Sequence, residues 1–265
     1  MLVHACLTPH PPIMVSEVGG EDVQHVHASI QALEILSKNF VETQPEIVFL
    51  ISPHSLLLAD RFVLSCSKNL QGNLGSFGAP QVQQSFKGAL SLQESIVKEL
   101  ATAFPAQIYE PAELDHASMV PLYFLSKHYK KFELLIAGFS YLSLREHFKY
   151  GQALGKVFKD YDKKIALVAS GDLSHRLTPD APAGFDAKGQ EFDDKLIKLL
   201  AENDVEGILN LDENLTEHAG ECGLRSIVIA LGILSNFNYS FKKLSYEGPF
   251  GVGYLVGEWK LKARS

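Results

Sequence analysis

Residues 46–55 read Glu-Ile-Val-Phe-Leu-Ile-Ser-Pro-His-Ser, and residues 164–175 read Lys-Ile-Ala-Leu-Val-Ala-Ser-Gly-Asp-Leu-Ser-His. In both, a continuous run of apolar residues rich in Ile, Val and Leu gives way to small and polar residues that lead to a histidine. An uninterrupted short apolar run bounded by turn residues is the pattern of a strand buried on both faces. Two further runs, 2–7 and 133–138, have the same character, and these four form the predicted centre of a sheet. Between and after them lie stretches with apolar residues at helical spacing, at 22–40, 92–104, 119–129, 144–161, 185–201 and 223–234. Alternation of strand and helix predicts an α/β protein, a single-domain three-layer α/β/α sandwich over residues 1–265 around a mixed, largely parallel sheet. Residues 252–260 and 62–67 read as additional strands, and the glycine-containing stretch 69–80 reads as a loop.

The bulk properties narrow the function. The 265 residues are 46% hydrophobic and 21% charged, ample for one large core and unlike a disordered chain. Lys and Arg number 24 against 31 acidic residues, a net charge of -7, which supplies no attraction for a phosphate backbone, so no nucleic acid partner is expected. The first residues carry no basic leader and no apolar run approaches the roughly 20 residues a bilayer requires, so the expectation is a cytoplasmic protein with no membrane partner. Three widely spaced cysteines, Cys6, Cys66 and Cys222, lack the paired spacing of a structural zinc site.

The chemistry gathers where strands end. His10 in Thr-Pro-His-Pro-Pro, His54 in Ser-Pro-His-Ser and His175 in Ser-Gly-Asp-Leu-Ser-His each follow a predicted buried strand. In open α/β sheets the loops at the carboxyl ends of strands converge on one crevice, so the three imidazoles point to a metal. Prolines beside His10 and His54 restrict the backbone, which suits ligands that must hold geometry. A single loop histidine is more often bonded to backbone or water; the repetition shifts the balance. The remaining histidines do not repeat the pattern: His25 and His27 fall on different sides of a helix, His128, His147 and His218 on polar helix surfaces, and His4 within a strand. His116 opens a helix in Leu-Asp-His-Ala-Ser-Met-Val-Pro-Leu, where it is either a neutral pocket imidazole or a capping-region residue paired with Asp115. Glu221 and Cys222, in Ala-Gly-Glu-Cys-Gly-Leu-Arg-Ser, enter the last apolar helix, and either has the chemistry to face a metal. Glu221 also has a plain alternative, an i,i+4 ion pair with Arg225. No P-loop, dinucleotide fingerprint or nucleophile elbow is present.

Together these segments resemble the catalytic-subunit family of class III extradiol ring-cleavage dioxygenases, in the branch related to Memo proteins and the AmmeMemoRadiSam system. The resemblance spans nearly the whole chain. It implies Fe(II) held by His10, His54 and Glu221, with dioxygen as co-substrate, a small-molecule catecholic substrate, His175 as acid/base and His116 as a pocket histidine that orients substrate or oxygen. Zn or Cu are the alternative metals. Memo proteins carry a cysteine near the third ligand, and Cys222 directly follows Glu221; Glu221 is expected to face the metal, because a carboxylate completes the oxygenase triad whereas a thiolate favours softer ions. The alternatives are a Memo-like module that binds metal or partners without ring cleavage, and a metal-dependent hydrolase. The expected partners are a second copy in a homodimer and a separate AmmeMemoRadiSam-type protein.

Overall fold

A computed structural model describes residues 1–111 and 113–262. In chain order the elements are β1 (Leu2–Thr8), α1 (Ser16–Gly19), α2 (His27–Thr43), β2 (Ile47–Ile51), β3 (Val63–Ser65), β4 (Asn69–Leu74), β5 (Ala79–Gly88), α3 (Leu90–Leu100), β6 (Gln107–Tyr109), α4 (His116–Leu125), β7 (Glu133–Gly138), α5 (Leu144–Asp160) and β8 (Ile165–Ser170). There follow α6 (Ala187–Glu202), α7 (Val205–Leu209), α8 (Glu213–Ala219), α9 (Leu224–Leu234), β9 (Tyr239–Glu247) and β10 (Tyr254–Leu261).

The strands form one sheet in the order β4-β5-β7-β2-β8-β1-β10-β9, with β3 on the far end of β7 and β6 on β3. Strands β5, β7, β2, β8 and β1 run parallel, and the pairs β4/β5, β3/β7, β1/β10 and β10/β9 are antiparallel. The mixed, largely parallel α/β sheet is therefore as the apolar runs predict. Its central strands are buried on both faces by simple alternation. Ile47, Phe49 and Ile51 of β2, with Ile165, Leu167 and Ala169 of β8, enter one core, which α3, α5, α6 and α9 cover. Val48 and Leu50, with Ala166 and Val168, enter the other, under α2 and α4.

Three readings of the sequence are corrected. The stretch 69–80 is not a loop: β4 and β5 pair across a short 3-10 turn at Gly75–Phe77 closed by Gly78, whose φ of 82° needs a residue without a side chain. Helices α7 and α8, and strand β9, lie in stretches where no element was expected; the two helices are one or two turns long, too short for a hydrophobic period to declare itself. His147 is not on a polar surface but fully buried, its Nδ1 within 2.8 Å of the Ser143 carbonyl and its Nε2 accepting from the Ser140 N–H at 3.2 Å.

Candidate metal centre

The carboxyl ends of β1, β2 and β8 lie side by side because these strands are parallel neighbours, and the loops that leave them carry His10, His54 and Asp172–His175 to one point. The ring centroids of His10 and His54 are 5.1 Å apart, those of His54 and His116 4.4 Å, and those of His10 and His116 5.4 Å. His116 is the first residue of α4, and Asp115 caps that helix by accepting from Ser118 N–H at 2.7 Å and from the Ser52 hydroxyl at 2.9 Å. The cap therefore ties the start of α4 to the end of β2, which places the His116 ring against His54.

The structure places Cys222, rather than Glu221, beside His10 and His54. A ring nitrogen of His10, one of His54 and the Cys222 sulfur lie within 4.8 Å of one another, with His10 Nε2 3.7 Å from Cys222 Sγ. The Glu221 carboxylate instead accepts the Leu224 N–H at 2.6 Å, closing the start of α9. In the bend that enters α9 the two side chains take different directions, one to His10 and the other to the Leu224 N–H, so only one of the pair meets His10. Which one is settled by two glycines. A Cβ on Gly171 would lie 2.3 Å from the Gly223 Cα, and one on Gly223 2.8 Å from the Asp172 carbonyl oxygen. Their lack of side chains lets the two loops run back to back, with Asp172 N–H donating to Cys222 Sγ at 3.3 Å. That contact aims the sulfur at the histidines.

Asp172, absent from the residues expected at the site, is at its centre. It is 4% exposed, accepts the His10 N–H at 3.0 Å, and places Oδ2 3.5 Å from His10 Nε2 and 3.8 Å from His175 Nε2. With His175 and Cys222 it forms a second cluster of convergent donors. The signal was present: a lone carboxylate stands in a run of small and apolar residues between a buried strand and a histidine. Burial, opposed by the bond from His10 N–H, raises its carboxyl to about 7.

The donor chemistry fits a metal ion. The Ser170 hydroxyl donates to the Ala117 carbonyl at 2.7 Å, so it accepts from His10 Nδ1 at 3.0 Å, and Nε2 is left as a bare lone pair facing Cys222. The Gly220 carbonyl likewise takes the Nδ1 proton of His175 at 2.9 Å and leaves its Nε2 free. Burial lowers His10 well below the ordinary histidine value, helped by the neighbouring His54, His116 and His175, and burial lowers those three as well. Neutral imidazoles are the form that binds metals. Burial and the neighbouring Asp172 raise the Cys222 thiol, so its deprotonation calls for a cation beside it.

The family described as the catalytic LigB subunit of aromatic ring-opening dioxygenase matches residues 4–257, and the chain belongs to that family. A Clostridium acetobutylicum protein is 34% identical over 98% of this chain, which spans 57% of that protein's length. The Escherichia coli 3,4-dihydroxyphenylacetate 2,3-dioxygenase is 24% identical over 93% of this chain and 94% of its own. In structure, an uncharacterized protein of Escherichia coli K12 superposes with a TM-score of 0.66 at 16% identity, over 97% of this chain and 99% of that one, and so shares the fold. Among the described residues no helix is long and apolar enough to cross a membrane.

Proposed function

We propose that the chain is a metal-dependent oxidoreductase of dioxygenase type that opens the ring of a small catecholic substrate, its metal held by His10, His54 and Cys222. The observation that carries this reading is the convergence of these three donors at the carboxyl ends of parallel strands in a chain of the LigB family. Its similarity to a dihydroxyphenylacetate dioxygenase supports the substrate class. A ferrous ion there would supply adjacent open positions for a diol and dioxygen and would acidify the diol.

This chain's residues do the rest. His175, with Nδ1 tied to the Gly220 carbonyl, takes up a substrate hydroxyl proton at Nε2 and returns it later. As a carboxylate, Asp172 stabilises that imidazolium electrostatically, its Oδ2 lying 3.8 Å from His175 Nε2. His116, neutral and stacked obliquely on His54, orients a substrate or oxygen atom by hydrogen bonding, and Phe77 stands beside it with ring centroids 5.2 Å apart as an apolar wall.

One observation favours a second reading. Cys222 stands where a carboxylate is expected, and a thiolate suits softer ions, so a Memo-like module that binds copper or zinc without ring cleavage has a specific basis. Metal analysis of anaerobically purified protein, followed by oxygen uptake with a panel of catechols, separates the two. Iron with uptake supports the dioxygenase; copper without uptake supports the Memo-like module; zinc without uptake points to hydrolysis.

A further inference from the structure

The segment 172–175, which carries Asp172 and His175, lies in no helix or strand, so its shape depends on what its backbone is bonded to. The Leu173 N–H donates to the Gly253 carbonyl at 2.8 Å, and the Ser174 carbonyl accepts the Gly253 N–H at 2.8 Å. The His175 N–H donates to the Ala219 carbonyl at 3.1 Å. Between them the Ser174 N–H goes to a side chain, that of Asp193 on α6, whose Oδ1 accepts it at 2.8 Å. Asp193 is fully buried, and its Oδ2 accepts the hydroxyl of Tyr246, on β9, at 2.7 Å. The carboxylate fits there because residue 253 is glycine: a Cβ on Gly253 would collide with Oδ2.

Asp193 stands inside α6 rather than at its end, so it caps nothing, and both of its hydrogen bonds leave the helix. Burying a carboxylate is costly, and what it secures here is the Ser174 peptide. Ser174 is itself fully buried, so without Asp193 its N–H has no water to turn to. The backbone must then move to find another acceptor, and His175 is the next residue. The His175 ring is held to the Gly220 carbonyl through Nδ1 at 2.9 Å, a bond that fixes its tautomer and leaves Nε2 bare. A displacement of about 1 Å would take that bond out of range.

We infer that Asp193 is a positioning residue for His175: through the Ser174 peptide it keeps the imidazole in the Nδ1-protonated form with Nε2 facing Asp172, and Tyr246 holds Asp193 in turn. The inference deepens the proposed function and rests on its assignment of His175 as the acid/base. Asp193 and Tyr246 act only through the backbone of the 172–175 segment.

Long-range proton–nitrogen NMR of the full chain, labelled with 15N-histidine and with diamagnetic zinc added, reads the His175 tautomer at pH 8; loss of the signal in His175→Phe assigns it. The wild type should show a protonated Nδ1 and a bare Nε2. In Asp193→Ala the separation between the two nitrogen shifts should shrink by about a third or more, as the tautomers mix. Asp193→Asn, which offers an acceptor to Ser174 and a donor to Tyr246, should restore it. Thermal melts accompany each variant, and a lower Tm with the tautomer unchanged would make Asp193 merely structural and overturn the inference. So would an Nε2-protonated His175 in the wild type, or an Asp193→Asn no better than Asp193→Ala. Should Asp193→Ala fail to fold, Tyr246→Phe decides: it removes the donor to Oδ2 and should shift the tautomer in the same direction, and no shift overturns the inference. None of these spectra requires turnover, so a wild type that opens no catechol ring would sink the proposed function and leave this test intact.

Discussion

Cys222 and Glu221 are adjacent in sequence and opposite in role, and the difference is one of direction. The carboxylate caps α9 through Leu224 N–H, and the sulfur faces His10. Replacing Glu221 with Ala should therefore cost stability by roughly 1 to 3 kcal/mol, because the Leu224 N–H loses its acceptor, with metal retention unchanged; urea denaturation and metal analysis read the two effects. His175 makes the opposite test. Its Nδ1 is engaged by a backbone carbonyl and it stands beyond the His10, His54 and Cys222 donors, so His175→Phe should keep the metal and lose turnover of a true catechol by roughly 10² to 10⁴. Loss of metal in that variant would make His175 a ligand. His10, His54, His116 and His175 were all legible in the sequence as residues at strand ends or helix starts, because the carboxyl edge of a parallel sheet is a place that periodicity can locate. The choice between Glu221 and Cys222 was not, since it depends on how two loops pass each other.

That passage belongs to the elements. The loops after β8 and before α9 lie back to back through Gly171 and Gly223, and the backbone pairs Asp172 with Cys222 across them. Gly171→Ala would drive a methyl group into the Gly223 Cα, so one loop must move. The expected cost is about 1 to 3 kcal/mol, the range for overpacking, with loss of metal affinity because the sulfur swings away. Thermal denaturation and a metal titration on the same sample check it; a variant with wild-type affinity would show that the close approach does not aim Cys222. Strands β1, β2, β7 and β8 were readable because each is apolar on both faces. Strand β9 was missed because its burial is partial along most of its length, and β4 and β5 because glycine and polar residues hid a hairpin whose alternation is plain in the burial of β5.

Over the whole molecule, buried titratable groups of opposite kind set the response to pH. Burial lowers His4 and His147 from 6.5 to about 4, and burial raises Asp172 and Asp193 from 3.8 to about 7. The two histidines contribute fully above pH 6.5 and lose that contribution as pH falls towards 4, because only the unfolded chain takes up their protons. The two aspartates act in reverse: their contribution is complete below 3.8 and is lost as pH rises through 7. The total profile is therefore flatter than either pair alone. Replacing His147 with Gln removes one acid-sensitive group, so between pH 6.5 and 4 the variant should gain on the wild type by up to about 3 kcal/mol in urea denaturation. A constant difference between the two proteins across that range would mean that His147 does not resist protonation. The fold that buries these groups also brings His10, His54 and Cys222 from opposite ends of the chain to one point, and anaerobic cobalt(II) titration tests that claim most directly. A near-ultraviolet thiolate-to-cobalt band should form in the wild type, persist in Glu221→Gln and vanish in Cys222→Ser; cobalt bound without that band, or released by Glu221→Gln, would contradict the account.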